Sequence, residues 1–133
     1  SVSAAADVIL CEWNDIGQVA QALESGDVAC VLMEPVMCNT GLIPPSAGYL
    51  ESVKQLCHQH DALFVIDEVI TGFRLGLTGA QGLYGIHGDI SIYAKRLPRD
   101  SRSPCSEPPP SYWPASAAER STIPVLTTQV SHR

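Results

Sequence analysis

Basic residues are scarce in this sequence. Eight Lys and Arg stand against fourteen Asp and Glu among 133 residues, giving a formal charge of −6 and an isoelectric point near 5.0. That balance lacks the basic footprint on which phosphate-backbone binding depends, so no nucleic acid is expected as a partner. Long apolar runs are missing as well. Nothing approaches the ~20 residues of a membrane helix, and Ser1–Asp7 has neither the basic start nor the apolar stretch of a signal peptide. The expectation is a soluble, cytoplasmic chain with no membrane partner. No Cys-x-x-Cys pair occurs, and Cys11, Cys30, Cys38, Cys57 and Cys105 are odd in number, which argues for reduced thiols over a disulfide framework or zinc ribbon. Cys57-His58-Gln59-His60 clusters locally, but at helical spacing its members diverge, so no metal is assigned.

What remains is divided by a break in composition. Up to Lys95 there are all ten Gly, three of the ten Pro, three basic and eleven acidic residues, a net charge of −8. From Arg96 to Arg133 there is no Gly, with seven Pro, seven Ser, five Arg and three acids, a net charge of +2. Pro, Ser and Arg richness reads as a disordered tail over 96–133, in which Pro108-Pro109-Pro110 could serve as a polyproline ligand. Function is therefore sought in residues 1–95.

Within that part, short apolar runs alternate with helical periodicity. Asp7–Cys11 reads as a strand, Asn14-Asp15 as the cap of a helix over Ile16–Ser25, and Val28–Met33 as a strand buried on both faces. Ser46 reads as the cap of a helix whose apolar face is Tyr49, Leu50, Val53, Leu56 and Cys57. Ala62–Ile66 and Asp89–Tyr93 complete the strands. The pattern is α/β, a partial parallel sheet with crossover helices. Such sheets bind ligands beyond the carboxyl ends of their strands. Glu34, Asp67 and Lys95 each stand just past such an end, so three ionisable groups from separate crossovers would line one rim.

On an extended segment Asp67 and Val69 face one way and Glu68 the other. A carboxylate beside a small branched side chain suits a flat heteroaromatic ligand, and a desolvated Lys95 could form a Schiff base with an aldehyde. A competing reading takes Leu63–Glu68 as a Walker B strand holding Mg²⁺, but its partner Gly-x-x-x-x-Gly-Lys-[Ser/Thr] loop is absent.

Asp67-Glu68-Val69-Ile70-Thr71-Gly72-Phe73-Arg74, followed by Asp89-Ile90-Ser91-Ile92-Tyr93-Ala94-Lys95, resembles the signature of the class III aminotransferases, pyridoxal-phosphate-dependent transferases of fold type I. Glu34-Pro35-Val36-Met37, Gly41–Pro45 and Gly79-Ala80-Gln81-Gly82 extend the likeness, which runs from about residue 7 to 95. With Ile70 after Val69 it is most similar to the glutamate-1-semialdehyde 2,1-aminomutase branch. The resemblance implies pyridoxal 5'-phosphate as cofactor and amino transfer or migration on a small amino acid or amino aldehyde. It gives Asp67 the pyridine nitrogen, Val69 the ring face, Lys95 the internal aldimine and the proton transfer, and Glu34 a place near the cofactor. For Thr71, Gly72 and Arg74 a shaped turn is at least as good a reading as substrate contact.

The likeness stops within one residue of Lys95. It implies that 1–95 is a piece of a transferase large domain, and that 96–133 arose from a shifted frame or retained intron. The family's phosphate-cradling turn lies upstream of Ser1 and its sites form between two subunits of a homodimer, so weak or absent activity is expected of this chain alone. The alternative is a non-catalytic remnant or interaction module with a Pro-rich tail.

Overall fold

Local chemistry sets where each element starts and stops. The computed structural model describes residues 8–94 and 125–129. Strand β1 (Val8–Glu12) leads into helix α1 (Ile16–Leu23). Asp15 alone caps that helix: its carboxylate accepts both the Gln18 N–H and the Gln18 side-chain amide at 3.0 Å. Asn14, at φ 67°, turns away, and its side-chain oxygen accepts the Ser46 N–H at 2.8 Å. The helix ends at Leu23, and Gly26 at φ 68° turns the chain.

Strand β2 (Cys30–Met33) is shorter than the apolar run containing it. Helix α2 (Tyr49–Gln59) presents the expected face, with Tyr49, Leu50, Val53 and Cys57 buried. Its cap position is Gly48 at φ 77°, not Ser46, whose carbonyl accepts the Tyr49 N–H. Strand β3 (Leu63–Asp67) follows, then a short helix α3 (Gly79–Tyr84) that apolar periodicity did not reveal, and strand β4 (Ile90–Ile92).

Strand β5 (Val125–Gln129) corrects the disordered-tail reading for five residues. Val-Leu-Thr-Thr-Gln contains no Pro and is rich in β-branched side chains, which suits a strand. The remainder of that tail, including Pro108–Pro110, lies outside the described residues. All strands are parallel, in the order β1-β5-β2-β3-β4. The tail strand thus sits between β1 and β2.

Helices α1 and α2 pack on each other and on the sheet. The core between them joins register partners Val31 and Phe64, and Met33 and Ile66, to Val19, Leu23, Leu50, Val53 and Cys57. Each such side chain, fully buried, contributes about 1.5–3 kcal/mol of transfer free energy. Trp13 closes one end, edge-on to Tyr49 at 5.3 Å, with its Nε1 donating to the Pro44 carbonyl. Among the described residues no helix is long and apolar enough to cross a membrane.

Candidate functional site

The carboxyl ends of β2, β3 and β4 form one rim. Glu34 follows β2 and Asp67 closes β3, and the pairing of Met33 with Ile66 sets them side by side. Asp67 is level with Ile92, so Tyr93 leaves β4 on the same rim. Lys95, two residues further, lies outside the described residues.

Glu34 is engaged with its own loop. One oxygen accepts the Cys38 N–H and the other the Asn39 side-chain amide, each at 3.1 Å. Asp67 is half-buried, and its Oδ1 accepts the Val69 N–H at 2.8 Å. Val69 therefore stands in a turn closed by Asp67, where an extended segment was expected; the strand ends at Asp67 because its side chain captures the next free amide. Among the described residues, the other Asp67 oxygen has no hydrogen-bond partner and can receive one from outside the chain.

Glu68 does point the other way, as alternation requires, and is 1% exposed. Its carboxylate accepts from the Thr71 hydroxyl at 2.5 Å, the Ala80 N–H at 3.1 Å and the Gln81 N–H at 2.8 Å. That saturation removes it from any Mg²⁺ role. It also explains two sequence features. Thr71 is spent on Glu68, and Gly79 at φ 61° is needed because a Cβ there would come within 2.6–2.7 Å of the Glu68 carboxylate. From sequence, Glu68 turns away from the rim or serves Mg²⁺, and Gln81 enters only as part of the Gly79–Gly82 likeness; their joining through the Gln81 N–H was not foreseen.

Beside the rim opens a cavity of about 360 Å³, walled by Val36 and Cys38, by Ile70 and Arg74, and by Leu83 and Tyr84. Its lining is mostly apolar, with the Arg74 guanidinium as its cation. Burial, seconded by Glu34, pushes the Cys38 thiol up, with Arg74 opposing, so Cys38 is no activated nucleophile. Cys11, Cys30, Cys38 and Cys57 are free thiols. His58, from the Cys/His cluster, turns to Asp89, 3.1 Å from both oxygens, while Asp89 also accepts the Phe64 N–H.

Comparison with known proteins decides the lineage. A sequence profile of the family described as aminotransferase class-III matches residues 4–99. The chain belongs to the class III aminotransferase family. Glutamate-1-semialdehyde 2,1-aminomutase of Methanothrix thermoacetophila is 48% identical over 91 residues, covering 68% of this chain and 21% of that protein. The enzyme of the same name from Salinibacter ruber is 43% identical over 93 residues, again covering 68% and 21%. Among solved structures, a glutamate-1-semialdehyde aminomutase from Pseudomonas aeruginosa PAO1 superposes with a TM-score of 0.61 at 38% identity, over 64% of this chain and 18% of that one. The N-acetylornithine aminotransferase of Stenotrophomonas maltophilia K279a gives 0.59 at 39% identity, over 62% and 23%. The chain spans about a fifth of the length of the curated relatives it matches. A further Pseudomonas aeruginosa structure of the aminomutase is a complex with PMP.

The family implies a pyridoxal-type cofactor, and the donor set on the rim fits its ring. The Asp67 carboxylate, with one oxygen held by Val69 N–H and one without a described partner, matches a protonated pyridine nitrogen.

Proposed function

We propose that the chain carries the central part of a pyridoxal-phosphate-dependent aminotransferase or aminomutase site, acting on a small amino acid or amino aldehyde. The observation that carries this reading is the placement of Asp67 at the end of β3, level with the exit of β4 that leads to Lys95. When bound, pyridoxal phosphate supplies an electron sink for charge left on the substrate's α-carbon.

The chain's residues divide the remaining work. Asp67 keeps the ring nitrogen protonated, since a carboxylate there favours the charged ring. Its loop amide bond to Val69 orients the free oxygen. Val69 would back the ring, and Lys95 would hold the cofactor through its aldehyde and serve as the base at the substrate's α-carbon. Glu34 shapes the neighbouring loop through the Cys38 and Asn39 bonds and would lie near the cofactor. Homodimer formation and a cytoplasmic location belong to the same proposal.

The test is reductive labelling of the full chain with pyridoxal phosphate and borohydride, followed by peptide mass mapping. Label concentrated at Lys95 over Lys54, and reduced several-fold in Asp67→Asn, supports the reading. Equal label at both lysines would leave a non-catalytic interaction module with a Pro-rich tail.

A further inference from the structure

The rim residues Asp67 and Tyr93 are tied together from behind by a polar network, centred on two buried side chains, that the cofactor reading does not use. Gln81, 5% exposed, is its hub. The Gln81 side-chain oxygen accepts the Gly88 N–H at 2.9 Å and the Ser91 hydroxyl at 3.1 Å, while its amide nitrogen donates to the Tyr93 hydroxyl at 3.1 Å. One side chain thus grips β4 before its first residue, within it and after its last.

Gln81 is itself held by Glu68. The Glu68 carboxylate accepts the N–H groups of Ala80 and Gln81, and the Glu68 backbone N–H donates to the Ile92 carbonyl at 2.9 Å. Glu68 is covalently next to Asp67. The Tyr93 ring is confined as well, tilted against Phe73 at 5.6 Å. Gly72 lies beneath it, where a Cβ would meet the ring at 2.8 Å.

We infer that Glu68 and Gln81 are positioning residues that fix where the chain leaves β4, and with it the place of Lys95 relative to Asp67. The part played by Lys95 rests on the reading proposed above; the hold on β4 does not. A network centred on two buried side chains favours one arrangement, because a lost partner leaves the desolvated Glu68 or Gln81 group unpaired. Gln81→Leu strands the Gly88 N–H and releases Ser91 and Tyr93 together.

The experiment compares the full chain with Gln81→Leu and with Tyr93→Phe, the latter removing only a hydroxyl from a residue 39% exposed and so sparing the fold. Amide hydrogen exchange is read by mass spectrometry over residues 88–94, with 8–12 and 30–33, which do not pair with β4, as internal references. The Lys95-to-Lys54 labelling ratio with pyridoxal phosphate and borohydride is read on the same samples. Loss of one neutral hydrogen bond corresponds to about fivefold faster exchange in Tyr93→Phe, and Gln81→Leu is expected to exceed tenfold. The labelling ratio should fall in both variants, with the reference strands unchanged. Unchanged exchange over 88–94 in Tyr93→Phe overturns the hold on β4. Faster exchange with an unchanged labelling ratio overturns the positioning of Lys95. If the unaltered chain labels both lysines alike, the cofactor reading fails, and exchange alone then upholds or overturns the hold on β4.

Discussion

Strands β1 and β3 are each five residues long and largely apolar, yet four residues of β3 are buried and only Cys11 of β1 is. Val8, Ile9 and Leu10 are 41%, 37% and 53% exposed, whereas Phe64 and Ile66 are wholly enclosed. Composition does not separate the two strands; neighbours do. β3 has β2 on one side and β4 on the other, with α2 against it, all within the family-matched span 4–99. β1 is an edge strand whose sheet partner is β5, from outside that span. The site occupies the half built from the matched span, and the other half depends on a strand that lies outside residues 4–99.

Truncation in the core gives the largest test of that contrast. Phe64→Ala should cost about 3–5 kcal/mol, the transfer term plus the cavity, while Ile9→Ala on the exposed edge should stay near 0.5 kcal/mol. Urea unfolding followed by Trp13 fluorescence measures both. Similar costs would show that β1 is enclosed in solution.

Alkali should attack the same half next. Burial, with Asp89 and Cys30 adding to it, pushes the Cys57 thiol up from 9.0 to about 12. The unfolded chain releases this proton near pH 9 and the folded chain does not, so the unfolded state binds fewer protons between these values and stability falls as pH rises through 9 toward 12. At about 1.4 kcal/mol per pH unit the loss is bounded by ~4 kcal/mol. Thermal melts from pH 8 to 11 should decline, and Cys57→Ser should flatten the decline whatever it does to the melting temperature at pH 8.

The sequence made the enclosed half legible because its signals were local. Val28–Met33 and Ala62–Ile66 are continuous apolar runs, and acids at their ends mark the rim; β2 departs from the expected burial on both faces, since Val31 and Met33 are buried while Cys30 and Leu32 are only partly so. Glu34 and Asp67 stand where that reasoning put them. Helix α3 stayed hidden because it is six residues long, and polar bonds from Glu68 fasten its first turn, which leave no hydrophobic period. Gln81 acts across ten residues on Ser91 and twelve on Tyr93, a relation that spacing does not encode. β5 was hidden for the opposite reason. Its five residues suit a strand, but they sit in a stretch whose average composition argues against order.

That strand offers the next test. Thr127 pairs with both Leu10 and Leu32, so Thr127→Pro removes an N–H from the middle of the ladder. The stranded partner should cost about 1–3 kcal/mol and free β1 first. Alkylation of Cys11, buried at 3%, should then accelerate while Cys57, in the enclosed half, keeps its protection. Unchanged Cys11 protection would mean that β1 is held by its contacts with α1 and not by β5.

The smallest effect separates α1 from the strand before it. Asp15 is the residue in that turn whose side chain serves the helix, through the Gln18 N–H and side-chain amide. Asp15→Ala should therefore cost about 1 kcal/mol, the usual value of a lost N-cap. Asn14→Ala acts instead on the loop at Ser46 and Pro44, so it should leave exchange of the first α1 amides unchanged while loosening residues 44–46. Amide exchange of the two variants distinguishes them. Equal loosening of α1 in both would show that the cap and the loop form one cooperative unit, and the edge would then be stiffer than its exposure suggests.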